Sequence, residues 1–295
     1  MRWPTIRPRE RATHAGATLS TAARSASRSS VPSSSAQRRA AVATRAPTRS
    51  HTSSTSRGPS RCTLTGSRYI GVCKGLGVTL RATLFDMDGL LIDSEVLWHR
   101  AEHEVFGRLG VVLPADLRAT KGMFVEEVVA YWRARQPWSG PSDAAVVAEL
   151  LERVGDLVEG EGRLLPGALR ALDLAEACGP LALASSTPTA LIERCLDHFG
   201  LRGRFEAIHS AEDEPYGKPH PGVFLSAAAA LGVEPTACLV VEDSAAGVLA
   251  GKAGRMTVVA VPVAEDRGAP AYALADLVLA SLDELEAAWL DARFA

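Results

Sequence analysis

Acidic residues are nearly absent from the first 80 positions. Glu10 stands alone there against fourteen Lys and Arg, whereas the remainder carries thirty-three acids against eighteen bases. The formal net charge of −2 therefore hides a basic leader and an acidic body. Large apolar residues are also few in the leader, which runs through STAARSASRSSVPSSSAQRR and TRSHTSSTSRGPSR without sustained periodicity. A segment with so little to bury is predicted to be disordered, over 1–78. No methionine lies between Met1 and Met87, so a shorter product would need a non-Met start such as Val72 or Val78. The leader's composition also resembles an organelle transit peptide. Upstream sequence translated from a misplaced start is the preferred expectation, with the cytoplasm as the location.

The five cysteines include no C-x-x-C pair, and Cys178, Cys195 and Cys238 fall in apolar helix or strand patterns. They are expected to be buried thiols in a reducing compartment rather than metal ligands or disulfides. No apolar run approaches the ~20 residues a membrane helix needs, so no membrane role is expected. The acidic body would repel a phosphate backbone, which argues against nucleic acid as a partner. His99 and His103 are spaced i, i+4 on one helical pattern, but no third ligand accompanies them to make a zinc site.

What the body does contain is alternation. Apolar runs of strand character recur at ATLFDM (82–87), LALAS (181–185), CLVVED (238–243), TVVAVP (257–262) and LVLAS (277–281). Between them lie the helical patterns PGALRALDLAEACG, PTALIERCLDHFG, PGVFLSAAAALG and SAAGVLAGKAG, most opened by Pro or Ser and closed by Gly. Doubly buried strands alternating with helices predict an α/β fold with a doubly wound parallel sheet. One interval breaks the alternation. From 94 to 165 the pattern is helical throughout, which predicts an inserted all-helical domain above the carboxyl ends of the strands, where open α/β sheets bind ligands. The predicted division is a core of 79–93 and 166–295 with a helical cap of 94–165.

Polar residues collect at the strand ends. In FDMDGLLIDS (85–94), Asp86 and Asp88 are spaced i, i+2 and so point the same way if the strand persists. One carboxylate could attack an electrophile while the other moves a proton, although Asp-x-Asp also occurs in loops and calcium sites. Ser185 and Ser186 close LALASS just before a Pro-started helix, whose N-terminus favours an anion; they could equally be caps. Lys218, in YGKPHPGVF, is either a solvated loop lysine or a counter-charge for Asp86 and a bound phosphoryl group. Glu242 and Asp243 end the most apolar strand, where adjacent acids are unfavourable unless paired or bound to a cation. With Asp86 and the Asp88 carbonyl they could form a hard oxygen site for Mg²⁺, while Ser244 is expected to cap the next helix.

This order of motifs resembles the haloacid dehalogenase superfamily from Ala82 to the C-terminus, and the helical insertion resembles the cap of its β-phosphoglucomutase-like branch. Within that branch FDMDGLLIDSE, ARQPWSGPS, KPHPGVF and VVEDSAAG are most similar to the hexitol phosphatases, also described as 2-deoxyglucose-6-phosphate phosphatases. The resemblance implies that Asp86 is the nucleophile and Asp88 the general acid/base. It implies that Ser185, Ser186 and Lys218 hold the phosphate, and that Asp86, Asp88, Asp243 and Glu242 hold Mg²⁺. Trp98 and Lys121 are the cap candidates for substrate contact. The implied activity is hydrolysis of a small-molecule sugar or sugar-alcohol phosphate by a monomer. A phosphomutase is the nearest alternative, yet Trp98 stands where the mutases carry a cap histidine, and Thr187-Pro188-Thr189 lacks their basic residue. Carbon–halogen hydrolysis needs neither Asp88 nor the acidic pair. A non-catalytic phosphosugar-binding module would not need every chemical position filled by a competent side chain.

Overall fold

The computed structural model describes residues 79–117, 120 and 122–294. The basic leader and Lys121 lie outside them. Six strands form one wholly parallel sheet: β1 (Ala82–Phe85), β2 (Leu181–Ser185), β3 (Ala207–Ser210), β4 (Cys238–Glu242), β5 (Thr257–Ala260) and β6 (Leu277–Val278). Their order is β3-β2-β1-β4-β5-β6. Between β1 and β2 run helices α1 (Glu95–Arg108), α2 (Val125–Arg135), α3 (Asp143–Glu161) and α4 (Ala168–Glu176). They are followed along the chain by α5 (Thr189–His198), α6 (Gly222–Ala230), α7 (Ala245–Ala253) and α8 (Ala287–Arg293).

Successive strand residues face opposite sides of a sheet, and the core divides accordingly. Ala82 and Leu84 of β1, with Cys238 and Val240 of β4, pack under α6 and α7. Phe85, Leu239 and Val241 pack on the other face with α4, α5 and α8. Burial on both faces is why these strands read as unbroken apolar runs. The expected set of five strands lacked β3. Its AIHS is only half-buried apart from Ser210, and it pairs with β2 alone at the sheet edge, so no apolar run announces it. The first strand also stops at Phe85, short of the expected Met87, because the Met87 carbonyl turns back to accept the N–H groups of Leu91 (3.0 Å) and Ile92 (3.1 Å).

Helices α1 to α3 carry an apolar cluster of their own, with Phe106, Val129, Val146 and Leu150 fully buried. Between them the described residues 109–117, 120, 122–124 and 136–142 are not helical. Two linkers join this layer to the sheet, and they pair with each other. Asp93 N–H donates to Arg163 O and Leu165 N–H to Leu91 O, both at 2.9 Å. Arg194 of α5 adds ion pairs to Asp156 and Glu159 of α3, each at 2.8 Å. Cys195 and Cys238 are buried free thiols, pushed up by burial to about 12 and about 11, and Cys178 is a half-buried one. Among the described residues no helix is long and apolar enough to cross a membrane.

Candidate active site

The sheet order reverses direction between β1 and β4, and a crevice opens at the carboxyl ends of strands at such a point. The register places Phe85 opposite Val241. Asp86 N–H extends that ladder by donating to Val241 O at 3.1 Å, which sets Asp86 beside Glu242. Lys218 then enters from the loop before α6. Its Nζ donates to Asp86 Oδ1 at 2.6 Å, to Glu242 Oε1 at 2.6 Å and to Ala184 O at 3.1 Å. An ammonium has three N–H groups, so this one is fully used. With its side chain only 4% exposed, Lys218 is a buried counter-charge and not a solvated loop residue.

Acidic oxygens crowd around Lys218. One oxygen from each of Asp86, Glu242 and Asp243 lies within 4.8 Å of the others, and all three residues are buried. Burial pushes the Asp86 carboxyl up to about 7, with Glu242 and Asp88 adding to the rise and Lys218 opposing it. Burial pulls the Lys218 ammonium down, but Asp86 and Glu242 outweigh it and hold the group above its ordinary range. Two of these buried carboxylates, Asp86 and Glu242, share the single Lys218 ammonium. An all-oxygen donor set of this kind fits a hard divalent cation such as Mg²⁺.

Two glycines make room for these acids. Gly89 has φ +73°, and a Cβ there would come 2.7 Å from Asp243 Oδ2. At Gly247 a Cβ would fall 1.7 Å from Glu242 Oε1. The other Glu242 oxygen accepts from Ser244 N–H (2.7 Å) and Ser244 Oγ (2.9 Å). Ser244 also caps α7 by accepting from Gly247 N–H at 3.0 Å, as expected of it.

Asp88 has different partners from Asp86. Its Oδ1 accepts from Ser94 Oγ (2.6 Å) and Trp98 Nε1 (3.1 Å), and its Oδ2 from Thr187 Oγ1 (2.6 Å). With β1 ended at Phe85, the i, i+2 rule no longer governs Asp88, and three side chains orient it instead. Trp98 thus lines the crevice and also steers a carboxylate. Ser94 and Thr187 were not among the residues singled out from sequence. Ser94 ends the very stretch FDMDGLLIDS, and Thr187 follows the two serines, so proximity was the one available signal. Ser185 Oγ accepts from Thr187 N–H at 3.1 Å, holding the turn before α5, while its O–H remains a donor. Ser186 is half-buried and faces the same crevice.

A cavity of about 160 Å³ joins these groups to the helical layer, which contributes Trp98, His99, Glu102 and Met123 to its wall. Burial alone pushes the Glu102 carboxyl from 4.5 up to about 7. The folded protein therefore keeps a proton that the unfolded chain releases between those two values, so each step upward in pH lowers stability. Over that window the wild type should lose on the order of 3 kcal/mol relative to Glu102→Gln, read as the difference in denaturant-unfolding free energy at each pH. A parallel pH dependence of the two proteins would show that Glu102 is not buried in solution.

The model of a haloacid dehalogenase-like hydrolase family matches residues 80–255. The chain belongs to that family. This haloacid dehalogenase-like hydrolase is 48% identical over 209 residues to hexitol phosphatase B of Escherichia coli (strain K12), covering 70% of this chain and 94% of the relative. It is 32% identical over 184 residues to fructose-1-phosphate phosphatase YqaB of the same strain, covering 60% of this chain and 94% of that protein. Among solved structures, CbbY from Rhodobacter sphaeroides in complex with phosphate aligns with a TM-score of 0.65 at 30% identity, over 72% of this chain and all (100%) of that one. A β-phosphoglucomutase from Clostridium difficile aligns with a TM-score of 0.64 at 23% identity, over 73% and 97% of the two chains, and shares the fold.

Proposed function

We propose that this hydrolase is a Mg²⁺-dependent phosphatase of sugar or sugar-alcohol phosphates that works through an aspartyl-phosphate. The observation that carries the reading is the buried bridge of Lys218 between Asp86 and Glu242, with Asp243 alongside, at the mouth of the switch-point crevice. The hexitol phosphatase relative supports the substrate class.

In the first half-reaction an Asp86 oxygen bonds to phosphorus as the bond from phosphorus to the alcohol oxygen breaks. Asp88 gives that oxygen its proton. In the second, water adds to phosphorus, its proton passes to Asp88, and the bond to Asp86 breaks, freeing phosphate and restoring both carboxyl groups. Positioning and charge neutralisation are most of the work in phosphoryl transfer. Lys218 screens Asp86 from the incoming dianion, and the Ser185 O–H with the Ser186 N–H receives its remaining oxygens. Asp86, the Asp88 carbonyl, Asp243 and Glu242 would hold Mg²⁺, which when bound supplies further positive charge against the phosphoryl group. Residues 94–165 serve as a cap over the core of 79–93 and 166–295, excluding water until the alcohol is seated. Because Ser94 and Trp98 belong to the cap side, the orientation of Asp88 depends on where the cap sits.

The test is phosphate release from a panel of hexose, deoxyhexose, hexitol and pentose phosphates, with and without Mg²⁺. Chelation is expected to remove activity and added Mg²⁺ to restore it, with a rise in melting temperature as the cation binds the folded state. Undiminished turnover under chelation would sink the metal assignment. Among the described residues lining the cavity, Lys218 is the sole Lys or Arg, so those residues by themselves offer no basic clamp for a second phosphate. Glucose 1-phosphate belongs in the panel for that reason. Formation of glucose 6-phosphate from it would replace hydrolysis by a mutase reading.

A further inference from the structure

Glu102 sits on α1 one turn beyond Trp98, in the part of the cavity wall that the helical layer supplies. It is 7% exposed, and its Oε2 has no hydrogen-bond partner. A buried carboxyl oxygen without a partner is unfavourable in the free protein. The chemistry proposed for Asp86, Asp88 and Lys218 makes no use of it. Leu117, Val125 and Val128 make much of this wall apolar, and His99 lies three positions before Glu102 on the same helical face.

Resting on the phosphatase reading, we infer that Glu102, with His99 beside it, is a specificity-determining residue that reads the hydroxyl groups of the leaving alcohol. Hydroxyls both donate and accept, and they suit such a carboxyl in either protonation state. Burial places the group at about 7, so both states are present near neutral pH. In its charged form it repels a second phosphate, which selects a polyhydroxylated substrate bearing a single phosphoryl group. A site built to hydrogen-bond a substrate hydroxyl discriminates strongly against a ligand that lacks it, because the buried polar group is then left unpaired.

The experiment uses the full chain with Mg²⁺ and two esters, a hexitol phosphate and phenyl phosphate, whose leaving group carries no further hydroxyl. The wild type should prefer the hexitol phosphate. Glu102→Leu should lower kcat/KM for it by about 10²-fold, and for phenyl phosphate by at least roughly tenfold less. Glu102→Gln keeps the shape and part of the hydrogen bonding, so it should fall between wild type and Glu102→Leu; it is read alone if the leucine variant does not fold. Equal losses on both esters, no loss on the hexitol phosphate, or a wild type that prefers phenyl phosphate would overturn the inference and leave Glu102 a packing residue. A wild type inert toward both esters would instead bring down the phosphatase reading beneath it.

Discussion

Asp86→Asn is expected to lower phosphate release by at least about 10⁴-fold in a protein that remains folded. The amide nitrogen cannot form the acyl phosphate, and the remaining carbonyl oxygen is a poor nucleophile. The fold should tolerate the change for an electrostatic reason. Asp86 is a buried carboxylate in a cluster already rich in negative charge, and the asparagine carbonyl still accepts from Lys218, which keeps Glu242 as its ion-pair partner. Turnover and thermal unfolding measured on the same preparation separate chemistry from folding. A retained rate would exclude the covalent route, whereas collapse of the fold would show that the Asp86–Lys218 contact is structural.

Lys218→Met should do the opposite to stability. Its removal leaves the Asp86 and Glu242 carboxylates facing each other beside Asp243, buried and without the ammonium that Asp86 and Glu242 share. Breaking a buried pair by deleting one partner costs about 3–5 kcal/mol, because an uncompensated charge remains. For a domain of this size that corresponds to a melting temperature lower by roughly 6–20 °C. Activity should fall on the order of 10³-fold, since Asp86 loses its screening against the phosphoryl dianion. Mg²⁺ should recover part of the lost stability in the variant by supplying charge to the same oxygens. Unfolding curves with and without the cation test both halves of the prediction. A variant as stable as wild type without metal would mean that the ion pairs do not persist in solution.

The chemistry-bearing segments were legible because each follows an apolar run. Asp86 follows ATLF, Ser185 and Ser186 close LALASS, and Glu242 with Asp243 closes CLVVED. A strand buried on both faces does not run far past such residues, so composition marks to within a few positions where the sheet ends and the crevice starts. Lys218 was harder to read, since a lysine between Gly217 and Pro219 looks like any solvated loop cation. Trp98 was expected as a substrate contact, and local pattern gave no sign that its indole N–H donates to Asp88. Thr187 and Ser94 escaped notice because hydroxyls are common and carry no spacing signal. Glu102 escaped because an acid on a helix is ordinarily a surface residue. The half-exposed edge strand β3 left no apolar run to find.

By itself the order of residues determined five of the six strands and their alternation with helices, the place of the helical insertion, and which of those strand ends carry acids and hydroxyls. Those features depend on local periodicity and on where apolar runs stop. Only the tertiary structure decided that Lys218 bridges Asp86 and Glu242, that Asp88 answers to Ser94, Trp98 and Thr187, and that Glu102 lies buried without a partner at Oε2. Hydrogen bonds and burial are set by distance in space. Lys218 and Asp86 are 132 positions apart along the chain, a separation that no local pattern encodes.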